Sequence, residues 1–449
     1  MNLTTRRTFI RQTACAALGT SGLLSSIWDL RKVSAAAVVS SAADYRALVC
    51  VFLYGGNDGN NMVVPYDAPS YASYAATRRN LAIPQSLLLP LSFQSGNGGS
   101  FAFHPNLPEL QTLFNQRKLA IITNVGTLVA PVTKSELLSG GAAVPRNLMS
   151  HPDQAFQWQT SISGQQSPTG WGGRTADLLN SLNGNSAISL TISIAGTNMF
   201  EVGNTVIPYR ISPKGTVPLG GAPPFKSALQ ELLIQPHYNL FEQAYADTLL
   251  RSIGSNDFLN TAFASVPTLQ TSFPTTSLAQ QLNMAAKLIG ARHYLGMQRQ
   301  IFFCAVHGYD THAGQLPAQA NLLIELSQAL NAFYSATVEM GVDSQVTTFT
   351  ASDFGRSFRS DGTGSDHAWG NHQLVLGGAV RGGALYGTFP TLEIGGPDDA
   401  VDAGRWIPTT SVDEFSATMA SWFGVANSDL PTVFPNIRRF ANPNLGFLA

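Results

Sequence analysis

Ala47-Leu48-Val49-Cys50-Val51-Phe52-Leu53-Tyr54-Gly55-Gly56-Asn57-Asp58-Gly59 decides the fold: an unbroken apolar run ends at a glycine-rich loop carrying one carboxylate. An apolar stretch of this length, with no polar alternation, fits a strand covered on both faces, as in a mostly parallel sheet. The same succession recurs further along. The β-branched run 346–350 leads into Ser352-Asp353-Phe354-Gly355-Arg356, and the apolar run 301–306 leads into Gly308-Tyr309-Asp310-Thr311-His312. Gly364-Ser365-Asp366-His367 adds a fourth loop of the same kind. In open α/β sheets ligands sit beyond the C-terminal ends of the strands, so four such loops can surround one crevice.

Working outward, strand and helix alternate. Strands are predicted at 47–54, 119–124, 188–194, 301–306, 346–351 and 373–377. Helices are predicted at 107–116, 153–160 and 177–181, the last opened by Gly170-Trp171-Gly172-Gly173-Arg174. Helical periodicity also covers 277–297 and 316–340, where Leu322, Leu323, Leu326, Leu330 and Phe333 form an apolar stripe. This rhythm predicts an α/β domain over 45–445: a doubly wound, mostly parallel sheet flanked by helices. The stretch 196–274 breaks the rhythm with Gly-Pro loops and an amphipathic helix near 227–251, and reads as an insertion that caps or flanks the crevice.

Composition narrows the function classes. With 449 residues and 44% hydrophobic content the chain can bury a large core. Its net charge of -1 and 12% charged residues argue against nucleic acid as a partner and favour a small or surface-presented substrate. At the N-terminus, Thr5-Arg6-Arg7-Thr8-Phe9-Ile10-Arg11 resembles a twin-arginine export motif. A mildly apolar stretch follows, and Ser34-Ala35-Ala36-Ala37 would be the cleavage region, so 1–37 is expected to be a signal peptide recognised by the twin-arginine machinery. Asp29, Arg31 and Lys32 interrupt that stretch before it reaches the roughly 20 residues a transmembrane helix needs, so no stable membrane insertion is expected. The destination would be the periplasm or the exterior. Cys50 and Cys304, the cysteines outside this segment, lie in apolar runs and read as buried free thiols.

The chemistry resides in the loops. The chain has only 8 His, and two of them stand beside Asp in glycine-rich segments. Carboxylate oxygens and neutral imidazole nitrogens placed this closely can converge on one divalent cation. Phe52-Leu53-Tyr54-Gly55-Gly56-Asn57-Asp58-Gly59, Val64-Pro65-Tyr66, His104-Pro105, Ser150-His151, the Gly170 to Arg174 segment and the three later loops together resemble the exported family called domain of unknown function 1501. That family looks like a branch of the alkaline phosphatase and sulfatase superfamily, which hydrolyses phosphate or sulfate esters at one or two metal ions.

The resemblance implies one cation, zinc or another transition metal, held by Asp310, His312 and His367, and a second held by Asp58 and Asp353. Two departures accompany it: Asp310 and His312 are closer in sequence than usual, and Phe354 stands where the superfamily has a His. In a second register Asp366-His367 is the Asp-His pair and His372 the trailing ligand. Ser150, at the start of a predicted helix, is the candidate nucleophile, with Ser135, Thr123 or a metal-bound water as substitutes. Asn57, His151 and Arg356 are the candidates for holding substrate oxygens, Arg by a two-pronged contact. The function expected is an exported metal-dependent ester hydrolase. A non-catalytic envelope protein that keeps the fold is the competing expectation.

Overall fold

A computed structural model describes residues 45–94, 99–184, 186–216 and 219–449. The twin-arginine motif and cleavage region lie outside them. The central sheet has nine strands: β1 (Arg46–Tyr54), β2 (Leu119–Gly126), β3 (Thr191–Ser193), β4 (Tyr209–Arg210), β5 (Arg299–His307), β6 (Val346–Ser352), β7 (Asn371–Leu376), β8 (Leu385–Tyr386) and β9 (Thr410–Ser411). Their order is β8-β2-β7-β6-β1-β5-β3-β4, and β9 also pairs with β2. Only β7 runs against the rest, pairing antiparallel with both β2 and β6. Because both are antiparallel to β7, β2 and β6 still point the same way. The C-terminal ends of β1, β2, β5 and β6 therefore share one rim.

The unbroken apolar run of β1 is explained by its two covered faces. Val49, Val51 and Leu53 pack with α1 (Pro108–Asn115), α6 (Ser277–Gly290) and α7 (Gln315–Glu339). Leu48, Cys50 and Phe52 pack with α2 (His151–Thr160), α3 (Trp171–Leu179) and α8 (Val412–Phe423). Successive strand side chains point to opposite faces, so every residue of the run meets a helical layer. At about 1.5–3 kcal/mol per fully buried Val, Leu or Phe, these central strands are the least dispensable part of the molecule and make a rigid mount for the loops. Cys50 and Cys304 are free and buried. They point to opposite faces of the sheet.

Three elements differ from the sequence reading. The helix expected near 227–251 is two helices, α4 (Pro223–Ile234) and α5 (Leu240–Ala264). Pro236 lacks an N–H and forces the residue before it out of the helical region; Gln235 is extended, and Asn239 then caps α5 by accepting from the Phe241 N–H at 2.8 Å. The helix expected over 277–297 stops at Gly290. The strand expected at 188–194 keeps only Thr191–Ser193, because the hydroxyls of Ser186 and Ser189 take the N–H groups of Ile188 and Thr191. The 196–274 segment adds edge strand β4 and joins the core on both sides of the sheet, through Ile211, Leu259 and Ala262 on the α6 and α7 side and through Phe200 and Val206 on the α3 and α8 side. None of the hydrogen bonds or ion pairs given below for the site loops involves it.

Candidate metal centre

The first turn of the site is set by Gly55. Its φ is +115°, and a Cβ there would lie 2.3 Å from the Asp310 nitrogen, so only glycine lets the loop after β1 touch the loop after β5. The Gly55 N–H donates to Asp353 Oδ2 at 3.1 Å, tying in the loop after β6 as well. The loops after three strands thus meet at Gly55.

Onto this frame the fold brings four imidazole and carboxylate groups. Asp310 Oδ1 lies 3.0 Å from His312 Nε2 and 3.3 Å from His367 Nε2, and the two Nε2 atoms are 2.9 Å apart. Ligand atoms about 2.1 Å from one ion are about 3.0 Å apart at a right angle and about 3.4 Å apart at the tetrahedral angle. The triangle therefore has the edges of a coordination polyhedron. His367 Nδ1 lies 2.8 Å from the Met149 carbonyl oxygen, which can only accept, so Nδ1 carries the proton and Nε2 keeps its lone pair. Met149 holds that carbonyl in place from an uncommon backbone conformation, φ +69°.

His151, the first residue of α2, completes the group. Its Nδ1 donates to Asp353 Oδ2 at 2.7 Å, and its Nε2 is buried with no hydrogen-bond partner, 3.4 Å from Asp310 Oδ2. The Asp353 hydrogen bond raises the His151 pKa against the opposing effect of burial. Burial lowers that of His367. For Asp310, burial pushes the pKa up, but the Arg356 hydrogen bond and charge, helped by His151 and His312, outweigh it and hold the carboxyl below its ordinary value. Asp366 behaves likewise: the His367 N–H and Arg405 override burial. Asp310, His312 and Asp366 are each nearly half exposed, so the centre opens to solvent on one side.

The other expected residues take different places. Asp58, read as a ligand, is buried and spent: Oδ1 accepts from the Asn60 N–H at 3.0 Å, while Oδ2 meets the guanidinium of Arg78 and the amide of Gln315. Asp353 serves His151, and neither Asp58 nor Asp353 joins a group of possible ligands among the described residues. Asp366 does stand in such a group with His312 and His367, yet it also pairs with Arg405. Ser150, the expected nucleophile, donates its hydroxyl to Asp153 at 2.6 Å, one turn along its own helix. Asn57 is 1% exposed, with its amide on Met62 Sδ and its N–H on Ser352, too deep for a substrate contact. Arg356, also expected to grip substrate, is fully buried; it braces Asp310 Oδ1 at 2.7 Å and the carbonyls of Gly55 and Ser365.

His367, a ligand in both registers, stands in the triangle, and the trailing ligand of the second register, His372, does not. His372 is buried away from it, stacked on Phe389 with its Nδ1 accepting from the Asn124 N–H, and burial pushes its pKa down to about 3. Phe354 forms an apolar wall instead of a ligand, its ring 4.7 Å from that of His151 and 4.6 Å from that of His367. Arg405 and Arg78 were not visible as site residues, since nothing near them in sequence marks a partner that lies 39 or 20 positions away.

Comparison with known proteins adds three findings. A family model described as "Protein of unknown function (DUF1501)" matches residues 45–430. No curated protein matches the chain. Among solved structures the chain is similar to the PsFucS1 sulfatase from Pseudoalteromonas sp., with 11% identity, 90% of this chain and 73% of that chain covered, and a TM-score of 0.37. It is also similar to a protein in the alkaline phosphatase superfamily from Vibrio parahaemolyticus (12%, 85% and 67%, 0.34) and to the phosphonate monoester hydrolase of Agrobacterium radiobacter (10%, 85% and 74%, 0.31). At such distances the chemistry has to be read from this chain's own side chains.

Proposed function

Because the chain belongs to the DUF1501 family, whose function is unknown, its activity rests on the centre itself, and we propose that it is an exported, metal-dependent hydrolase of phosphate or sulfate esters. The observation that carries this reading is the triangle of Asp310 Oδ1, His312 Nε2 and His367 Nε2, with edges of 2.9 to 3.3 Å and the His367 lone pair directed into it. The residues fit a divalent ion: imidazole and carboxylate donors, one buried imidazole nitrogen without a partner, and an open side. Such an ion supplies Lewis-acid polarisation of a phosphoryl or sulfuryl oxygen and acidifies water.

The chain's own groups do the rest. Arg356 keeps Asp310 ionised and oriented, Met149 and Asp353 fix the tautomers of His367 and His151, and Phe354 walls off water from one flank. With the Ser150 hydroxyl engaged by Asp153, attack by water is favoured over attack by serine. The open face suits an ester presented on a surface or polymer as well as a small molecule. Among the described residues no helix is long and apolar enough to cross a membrane, and export rests on the twin arginines. The competing reading, a non-catalytic envelope protein, is favoured by one observation, the pairing of Asp58 with Arg78.

The test is a panel of aryl and sugar phosphates and sulfates offered to protein stripped by a chelator and then reloaded with Zn²⁺, Mn²⁺ or Co²⁺. Turnover should require reloading and should fall at least about 100-fold in His312→Ala and His367→Ala, the scale of a lost metal contact. Reloaded, ion-bearing protein that turns over none of the esters would leave the scaffold reading standing.

A further inference from the structure

We infer that the centre is mononuclear, and that His151 is its fourth protein ligand: one transition-metal ion held by three imidazoles and one carboxylate, His151, His312, His367 and Asp310, with Asp353 aiming His151 and Arg78 standing in for any second cation. The inference rests on the metal-centre part of the function proposed above and deepens it.

A second ion would need its own carboxylates with free oxygens. Asp366, which groups with His312 and His367, shares both histidines with the first ion and gives Oδ1 to the His367 N–H and Oδ2 to Arg405; Asp58 and Asp353 are the other two candidates. Both Asp58 oxygens are engaged, and its counter-charge is the guanidinium of Arg78, itself fully buried and held by Asn61 Oδ1 at 3.2 Å and by the carbonyls of Ser357 and Phe358 at 2.9 and 3.1 Å. A divalent ion brought against that buried guanidinium would meet repulsion poorly screened by solvent. Asp310 also carries a guanidinium, that of Arg356 on Oδ1, but the Asp310 side chain is 45% exposed and its Oδ2 faces His151, whereas Asp58 is 2% exposed with both oxygens engaged. Asp353 spends Oδ2 on Gly55 and His151 and retains one buried oxygen, Oδ1, which belongs to no group of possible ligands among the described residues. One oxygen does not hold a divalent cation.

His151 is placed the other way. With Nδ1 donating to a carboxylate, the neutral ring presents the Nε2 lone pair to Asp310, an unfavourable contact unless a proton or a metal ion lies between them, and the metal ion is the occupant inferred. A carboxylate behind an imidazole is the arrangement that orients metal-bound histidine. His151, Asp310 and His367 each offer an atom within 4.8 Å of the others, while His312, grouped in the same way with Asp366 and His367, reaches the centre through His367 Nε2 at 2.9 Å and Asp310 Oδ1 at 3.0 Å. His367 is oriented from behind in the same manner by the Met149 carbonyl. Three imidazoles with a single carboxylate select zinc, cobalt, nickel, iron or manganese over magnesium or calcium, which prefer all-oxygen sites.

The test is titration of chelator-stripped protein with Co²⁺ and Zn²⁺ alone, read by bound ion per chain and by the visible absorption of Co²⁺. One ion per chain is expected. His151→Ala, at a partly exposed position whose folding is checked by circular dichroism, should weaken Co²⁺ binding at least about 10-fold and change its absorption bands, while His293→Ala, an exposed histidine elsewhere, should titrate like the parent. Two ions per chain, no bound ion, or a His151→Ala protein with unchanged affinity and spectrum would each overturn the inference. One bound ion with no ester turnover would sink the hydrolase reading and leave this one intact.

Discussion

Asp353 shows how one side chain decides the character of the site. Its Oδ2 joins a backbone N–H and an imidazole, so the same group closes the loop after β1 and sets the His151 tautomer. Asp353→Asn should weaken both roles, because an amide oxygen accepts less strongly than a carboxylate from the Gly55 N–H and the His151 Nδ1–H, and an NH₂ at that position would face the Gly55 N–H donor to donor and turn the His151 lone pair away from the centre. We expect metal affinity to fall about 10- to 100-fold and the melting temperature to drop with it, measured on the stripped and reloaded protein. A second residue sets a pH dependence. Burial pushes the Glu201 carboxyl up to about 8 from an ordinary 4.5, so the folded state holds a proton that the unfolded chain has lost. Its stabilising share is complete below about 4.5 and is lost as pH climbs through about 8. Thermal melts of Glu201→Gln should therefore show a flatter decline between pH 5 and 8 than the parent; equal slopes would assign the dependence elsewhere. At this scale Asp310, His312 and His367 were legible because Asp and His stand together on loops after apolar runs. The partners of Asp58 and Asp353 were not, since His151 and Asp353 are 202 positions apart and meet only in the fold.

Elements were legible where burial on both faces writes itself into composition, as in β1, β5 and β6, and were misread where local polar groups compete. Serine hydroxyls shortened β3, and Pro236 cut one expected helix into α4 and α5. The direction of β7 could not be read at all, since an apolar strand looks the same either way. The Gly170 to Arg174 segment gives a prediction at this scale. Gly173 lies inside α3, where the chain of Val202 crosses it; a Cβ there would stand 2.1 Å from the Val202 carbonyl carbon and oxygen. Gly173→Ala must push the two segments apart, at a cost of about 1–3 kcal/mol. Denaturant unfolding should move its midpoint down accordingly, and an unchanged midpoint would mean that the crossing is looser than described. Arg174, bonded to the carbonyls of Thr160, Thr169 and Val433, locks the same junction from the other side.

For the whole molecule, a doubly wound sheet places its chemistry at the rim shared by β1, β5 and β6, and this level was the most legible because repeated strand-then-loop succession is a property of the entire chain. Export is the expectation attached to the opposite end. Changing Arg6 and Arg7 together to Lys should leave precursor in the cytoplasm, and normal export of that double variant would remove the twin-arginine route. The central claim is the metal centre, and the most direct measurement is anomalous X-ray diffraction from crystals of chelator-stripped protein soaked in Zn²⁺. The account predicts one strong anomalous peak within about 2.0–2.2 Å of Asp310 Oδ1, His312 Nε2 and His367 Nε2. A map with no peak between those three atoms, or with its strongest peak beside Asp58, would contradict it.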